Sequence, residues 1–205
     1  MFIYNFVGNI YEKNAERYYE KLFGIMTSGK IILENRYGYS NYTPSPYHYL
    51  AKYFRQYPFE KGYSYVDFGC GLGRTVFLAS YYGCSKAIGV DVNKAMYEGA
   101  IKNQKNFKRN VVDEEILFYH QKAEEFEIKN EYSYFYFYNP FYLKYFIKVI
   151  RNITKSYKNC KRKIRIILYC PAEEYISYLS TQEILYKSED IYFRDGAFLV
   201  TYGYR

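Results

Sequence analysis

Val66-Asp67-Phe68-Gly69-Cys70-Gly71-Leu72-Gly73 is the stretch on which the fold turns. A short apolar run carrying one acid passes into glycines at alternate positions, and Arg74 to Tyr82 then has the composition of a helix. Glycines at a strand-to-helix turn let the backbone pass close to a ligand, and the start of the following helix offers unpaired N–H groups. Eighteen residues beyond Gly73, Asp91 closes the next apolar run, where a carboxylate can accept two hydrogen bonds from ribose hydroxyls. Strand, glycine turn, helix, strand and acid together describe a site for an adenosine-type cofactor.

Working outward, short apolar runs alternate with helical stretches, the pattern of a parallel sheet with helices on both faces. Strands are expected at Tyr63 to Phe68, Ala87 to Asp91, Ile116 to His120, Tyr132 to Tyr138 and Ile164 to Tyr169. Helices are expected near Arg74 to Tyr82, Asn93 to Phe107 and Tyr142 to Tyr157, with a short turn around Ala123 to Phe126. Ile184 to Phe193 and Ala197 to Tyr204 are β-rich and joined by Arg194-Asp195-Gly196, so the sheet should end in an antiparallel pair. Ahead of this core, residues 9 to 24 read as a helix with Asn9 as its N-cap. Residues 28 to 46 read as an aromatic loop, and Leu50 to Tyr57 as a second helix that Pro58 stops. Residues 1–60 are thus expected to form an N-terminal helical and aromatic extension, a lid or an acceptor-recognition element, and residues 61–205 a cofactor-binding core.

A dinucleotide fingerprint wants glycine at the sixth position counted from Gly69, and Arg74 stands there. An acid two residues before G-x-G-x-G, followed by an acid closing the second strand, resembles instead the class I S-adenosylmethionine-dependent methyltransferases. The resemblance covers roughly residues 60 to 205. It implies a Rossmann-like α/β fold with a mostly parallel seven-stranded sheet and a C-terminal antiparallel hairpin, and S-adenosyl-L-methionine as cofactor. It also implies that Gly69, Gly71 and Gly73 pass under the methionyl part, that Asp67 holds its amino end, and that Asp91 binds the ribose. After the third strand the family places an acid and a small residue for the adenine amine. This chain reads His120-Gln121-Lys122-Ala123-Glu124. Gln121, Lys122 and Ala123 thus fall in the adenine position, but a lysine ammonium accepts no hydrogen bond. A backbone carbonyl, Gln121 or a nearby glutamate would have to recognise the adenine.

The strand Tyr134-Phe135-Tyr136-Phe137-Tyr138 runs into Asn139-Pro140-Phe141-Tyr142. This segment resembles the Asn/Asp-Pro-Pro-Tyr/Phe motif of methyltransferases that modify planar amino nitrogens, such as adenine N6 or a glutamine amide. The resemblance implies that Asn139 and Pro140 accept the hydrogens of the acceptor amine and that Tyr142 stacks on it, with Phe141 in place of the second proline. The alternative is that Asn139-Pro140 ends a strand. A group of small bacterial methyltransferases with an aromatic strand followed by Asn-Pro-Phe is similar as well. Tyr42, Tyr47 and Tyr142 are candidate aromatic faces for the sulfonium charge. Thr43-Pro44-Ser45-Pro46 is the expected lid, and His48 a packing residue or a proton acceptor.

Composition limits the alternatives. With 205 residues, 49% hydrophobic and 24% charged, the chain suits one ordinary domain, and neither disorder nor a fibrous repeat. No run of about 20 apolar residues spans a membrane, and Met1 to Ile10 lacks a basic start, so the expectation is a cytoplasmic protein without a membrane role. Cys70, Cys84, Cys160 and Cys170 form no C-x-x-C pair and only two histidines are present, so neither a metal site nor a disulfide framework is expected. The net charge of +8 admits RNA as a partner, although the codon bias that gives 31 tyrosines and abundant lysine explains the charge equally well. Lys102, Lys105, Lys108 and Arg109 form one basic group; Lys155, Lys158, Lys161, Arg162, Lys163 and Arg165 form the other. The leading expectation is an S-adenosylmethionine-dependent N-methyltransferase acting on an amino or amide nitrogen of a nucleic-acid base, a protein or a small molecule. Alternatives are a small-molecule or protein-lysine methyltransferase with Asn139 structural, a non-catalytic cofactor-binding subunit, and a nicotinamide oxidoreductase.

Overall fold

Tyrosine and phenylalanine alternate along Tyr134-Phe135-Tyr136-Phe137, and successive strand residues point to opposite faces. The central sheet therefore has two chemically different sides. In the computed structural model, which describes residues 14–32, 38–108 and 115–205, Tyr134 and Tyr136 join one core and Phe135 and Phe137 the other. On the tyrosine side Tyr136 Oη lies 2.7 Å from Ser45 Oγ, and Tyr134 Oη accepts the Glu60 N–H at 3.1 Å. The phenylalanine side is covered by a helix that lays a mainly apolar stripe against it.

In chain order the elements are α1 (residues 14–23), α2 (Tyr47–Gln56), β1 (Ser64–Phe68), α3 (Arg74–Tyr81), β2 (Lys86–Asp91), α4 (Lys94–Asn106) and β3 (Glu115–His120). A 3-10 turn (Ala123–Glu125) follows, then β4 (Tyr132–Phe137), α5 (Leu143–Asn159), β5 (Arg165–Tyr169), α6 (Glu173–Ser180), β6 (Leu185–Tyr192) and β7 (Phe198–Tyr204). One seven-stranded sheet has the order β3-β2-β1-β4-β5-β7-β6. Strands β1 to β5 pair in parallel, and β7 inserts antiparallel between β5 and β6. The fold class read from the sequence is the one observed, and most expected elements lie within a few residues of their place. Helix α6 was not anticipated. The expected start of the first helix, with its Asn9 cap, and the Met1 to Ile10 segment lie outside the described residues.

Helices α1, α2 and α3 cover the tyrosine face, and α2 and β1 share one core, so the extension and the sheet are packed together rather than separated by a linker. Helix α5 covers the other face through Phe146, Val149, Ile150, Ile153 and Tyr157, the 3.6-residue stripe of an amphipathic helix. Between β1 and β4 the sequence order reverses direction across the sheet. In such sheets the crevice at the carboxyl ends of these strands is the natural ligand site.

Candidate functional site

The β1–α3 turn is shaped by its glycines. Gly69 and Gly71 have φ of 79° and 53°, a left-handed backbone that L side chains rarely adopt. A Cβ on Gly69 would stand 2.4 Å from Pro140 Cβ, and one on Gly71 2.2 Å from the Tyr42 ring. The turn thus brings the β4 end and the N-terminal segment against the backbone. Gly69 and Cys70 donate their N–H groups to Val90 O, which fixes the turn to the end of β2.

Asp91 is held from two sides. Its Oδ2 accepts the Gly71 N–H and its Oδ1 the Asn93 N–H, each at 2.8 Å. Burial raises its pKa, and those two hydrogen bonds oppose the shift. Each oxygen keeps acceptor capacity toward the crevice. Asp67 is only 3% exposed. The Thr75 hydroxyl donates to it, and burial pushes its carboxyl up to about 7, with that hydrogen bond opposing and the nearby Asp91 reinforcing the shift. An ammonium group is the partner such a carboxylate lacks.

Both acids line a cavity of about 850 Å³. Its walls are the glycine turn, Val92, Asn93 and Met96 after β2, Gln121 to Glu125 after β3, and Tyr136, Tyr138, Pro140 and Phe141 at the end of β4. Residues 39–45 form its outer wall. This segment is strapped to the β4 end: Tyr39 pairs as an antiparallel bridge with Phe141, Ser40 N–H donates to Pro140 O at 2.9 Å, and Ser40 Oγ donates to Asn139 O at 2.5 Å. Tyr42 Oη reaches Thr27 O at 2.6 Å. A buried carboxylate, a second one with free lone pairs, and an apolar wall suit a ligand with an ammonium group, a vicinal diol and a planar base. That donor set fits S-adenosylmethionine.

Of the residues singled out from sequence, Asp67, Gly69, Asp91, Gln121, Lys122, Ala123 and Pro140 line this cavity, as do Tyr42 and the lid residues Thr43, Pro44 and Ser45. Gly71 and Gly73 lie behind the wall, Gly71 under Tyr42 and Gly73 against Phe118 and Phe77. Lys122 turns its ammonium to Glu125, 2.9 Å away. Tyr47 is buried against the guanidinium of Arg74, 4.3 Å from its ring centroid, and Tyr142 is 63% exposed. Neither Tyr47, Tyr142 nor His48 lines the cavity.

Asn139 differs most from its expected role. Its Nδ2 donates to Cys170 O and its Oδ1 accepts the Ala172 N–H, both at 2.8 Å, so the carboxamide is clamped across the β5–α6 turn and does not line the cavity. Its φ of 43° is the left-handed conformation that asparagine tolerates better than most residues. The Pro140 carbonyl, the second expected acceptor, already takes the Ser40 N–H. Both groups serve the fold in this structure, because a strand that ends at a sharp turn must satisfy its backbone there.

Sequence reasoning passed over Arg74 except as a non-glycine. Its side chain, 3% exposed, pairs with Glu16 and Glu20 of α1, donates to Thr27 Oγ1 at 2.9 Å and reaches Ser45 O at 3.2 Å. The extension is thereby anchored to the first residue of α3, directly after the glycine turn. Tyr138 and Tyr169 were passed over as well. They line a second cavity of about 830 Å³ that shares Thr43, Pro44, Arg74 and Tyr138 with the first. Their rings meet edge-on, with centroids 4.7 Å apart. Two adjacent strand ends carrying tyrosine were a readable signal for this wall.

The basic groups lie elsewhere. Arg162 donates to the carbonyls of Tyr132 and Cys160, Lys163 pairs with Glu60, and Arg165 pairs with Glu189 at 3.3 Å. They surround the amino end of β5, opposite the crevice. Lys102, Lys105 and Lys108 are exposed along and just beyond α4, and Arg109 lies outside the described residues. Among the described residues no group of three or more His, Cys, Asp and Glu could hold a metal, and no helix is long and apolar enough to cross a membrane.

Comparison with known proteins bears on the fold and the family. The family model "Histone methylation protein DOT1" matches residues 34–135, just short of half the chain. Among curated proteins no sequence matches significantly. An RNA methyltransferase of Salinibacter ruber in complex with S-adenosyl-L-homocysteine superposes with a TM-score of 0.59 at 15% identity, covering 79% of this chain and 94% of that one. A ribosomal protein L11 methylase of Lactobacillus delbrueckii subsp. bulgaricus gives 0.56 at 10% identity, over 88% of this chain and 100% of that one. The tRNA (uracil-54, C5)-methyltransferase of Pyrococcus abyssi also gives 0.56, at 14% identity, over 79% of this chain and 40% of that one. Those three proteins differ in acceptor, so at such identities the likeness speaks for the fold. Family model and fold together bear out the resemblance drawn from the glycine turn, that of a class I S-adenosylmethionine-dependent methyltransferase.

Proposed function

We propose that this S-adenosylmethionine-dependent methyltransferase alkylates an amino nitrogen, and that its acceptor is an aliphatic amine of the protein-lysine kind rather than a planar amide or base. The observation that carries the choice is the clamping of Asn139. A planar amine needs two carbonyls directed at its hydrogens, and the Asn139 carboxamide is held at both ends by the β5–α6 turn and does not line the cavity. The matched family description, which names histone methylation, supports an acceptor on a protein. The paired or carbonyl-bound state of Arg162, Lys163 and Arg165 gives RNA no comparable support.

The cofactor supplies a methyl group already activated on a sulfonium, so the chain's task is alignment and exclusion of water. Asp67 would hold the amino end, Asp91 the ribose hydroxyls, and residues 39–45 would close over them. Gln121, Lys122 and Ala123 would flank the adenine through their backbone. Residues 1–60 are assigned to closing the cavity and admitting the acceptor, and residues 61–205 to binding the cofactor. The acceptor would enter through the second cavity, between Thr43-Pro44 and the Tyr138–Tyr169 pair. The two tyrosine rings would give the amine an apolar face on one side, opposite the polar side lined by Glu16, Arg17, Lys30 and Arg74.

Asn139→Gly tests the reading, because glycine keeps the left-handed backbone while removing the carboxamide. Two hydrogen bonds are lost, so a fall in melting temperature of several degrees is expected. Radiolabelled methyl transfer to a lysine-rich protein should stay within about threefold of wild type, a margin of under 1 kcal/mol. A hundredfold loss of turnover with S-adenosylhomocysteine affinity retained would return Asn139 to the acceptor site. A chain that binds cofactor and labels neither protein nor RNA would point to a non-catalytic subunit.

A further inference from the structure

Sequence order places Lys155 and Lys158 with Arg162, Lys163 and Arg165, but helix α5 regroups them. Lys144, Lys148, Arg151, Lys155 and Lys158 recur at spacings of four and three residues, so they form one stripe on the side of α5 opposite its apolar face. All five are exposed, and from Lys144 to Lys158 the stripe runs about 21 Å along the helix. Solvated helix faces mix acids with bases, as Lys94 and Glu98 do on α4. The 17 residues of α5 include no acid, and among the described residues none of the five cations is paired with a carboxylate. Like charges three and four residues apart repel, and Lys144 in the first turn also opposes the helix dipole. The free protein thus carries a repulsion that a polyanion laid along α5 would relieve.

Aromatic rings stand at the amino end of the stripe. Tyr142, the residue before α5, is 63% exposed. Its ring and that of Tyr145 both crowd Gly38, where a Cβ would stand 3.1 Å from the first and 2.8 Å from the second. Lys144 and Lys148 lie 4.8 and 5.8 Å from the centroid of the Tyr145 ring. One row of cations follows one backbone, and an exposed ring beside it takes an unstacked base, the combination that suits a single strand. A duplex keeps its bases inside, and an acidic peptide has no use for the ring.

We propose that α5 is a docking surface for single-stranded nucleic acid, with phosphates along Lys144, Lys148, Arg151, Lys155 and Lys158 and a base on Tyr142. The strand is a docking partner and not the methyl acceptor: α5 lies on the phenylalanine face, whereas the second cavity is lined by α1 and Arg74 on the tyrosine side. This docking stands whichever cofactor or acceptor the cavities take.

The test is fluorescence anisotropy of the full chain with labelled single strands of about 12 nucleotides, RNA and DNA of one mixed sequence, across a salt series. Five phosphate contacts, at about 0.7 each, give an expected slope of about −3.5 in log affinity against log salt. The triple variant Arg151→Gln, Lys155→Gln, Lys158→Gln keeps good helix formers, so its melting temperature should not fall. Its slope should shrink to about −1.4, with binding about 100-fold weaker at about 0.1 M salt. The control triple Lys21→Gln, Lys102→Gln, Lys105→Gln removes the same charge from exposed positions on the other side of the sheet and should stay within about threefold of wild type. Tyr142→Ala should weaken binding by about 5- to 100-fold with the slope unchanged. A preference between the two strands names the source, and either one bound in this pattern supports the proposal. Equal losses in both triple variants would overturn it as an effect of net charge. Wild type that binds neither strand would overturn it as well, as would tighter binding of a duplex or of polyglutamate, or a Tyr142→Ala protein with undiminished affinity.

Discussion

The floor of the larger cavity and the strap that closes it are built in opposite ways. The floor, Asp67 to Thr75 with Asp91 and Asn93, is made of residues close in sequence that the β1–α3 turn and the end of β2 force together. The strap, residues 38–46, is held by partners about a hundred positions away, among them Pro140, Asn139, Phe141 and Tyr136. The difference teaches where each can fail. A change in the floor distorts backbone that has one allowed shape, whereas the strap hangs on several separate hydrogen bonds, any of which can be lost alone.

The sharpest way to break the comparison is at Gly71, where floor and strap touch. Gly71→Ala places a methyl group in the Tyr42 ring on a backbone of φ 53°, so the turn and the strap must both shift. The expected cost is about 2–4 kcal/mol from overpacking and left-handed strain. A fall of roughly 5–15 °C in melting temperature should follow, with S-adenosylhomocysteine binding lost in titration. Undiminished binding would mean that the strap is not seated on the turn in solution.

Proton linkage at Asp67 is the next largest effect and belongs to the floor alone. Its carboxyl is raised from 3.8 to about 7, so between these values the native chain holds a proton that the unfolded chain has released. Stability therefore falls as pH rises through that window, by up to about 1.4 kcal/mol per pH unit from this group. A ligand ammonium needs the ionised form, so cofactor affinity should run the other way, dropping about tenfold from pH 8 to pH 6 with release of one proton at the acid end. Titration at pH 6 in buffers of different ionisation enthalpy measures that proton, and Asp67→Asn should abolish it. A pH-independent affinity would place the ammonium elsewhere.

The smallest effect is expected in the strap. Ser40→Ala removes the hydroxyl bond to Asn139 O and leaves the N–H bond to Pro140 O in place. Affinity for S-adenosylhomocysteine should weaken by a factor of about 2–10, one ordinary hydrogen bond, with a fall in melting temperature of at most a few degrees. Comparing off-rates with wild type by stopped flow checks it, since a loosened strap speeds release. A loss as large as that of Gly71→Ala would make the strap as rigid as the floor.

The same contrast explains what the sequence made legible. Glycine and acid positions gave the floor directly, because Gly69, Gly71, Asp67 and Asp91 act through neighbours in the chain. Strand ends fell within one residue of their place, since apolar runs were cut by glycine, lysine and asparagine. Helix α6 was legible but unread: Pro171 followed by Glu173 and Glu174 is a helix start, with Tyr175 and Leu179 as its buried pair. Asn139 was read by local pattern, and its fate depends on Cys170 and Ala172, which only tertiary packing brings near.

Arg74 makes the extension inseparable from the core in practical terms. A shortened version beginning near residue 60, where the composition changes, would lack Glu16, Glu20, Thr27 and Ser45 together with the buried Tyr19, Phe23, Tyr47, Leu50 and Phe54, and would uncover both Arg74 and the tyrosine face of the sheet. Losing a large buried side chain costs about 3–5 kcal/mol, so several lost together exceed what a domain of this size possesses. The visible seam in the sequence is therefore a poor place to trim the chain for crystallisation, labelling or fusion, and tags belong at the far terminus, where Arg205 is exposed.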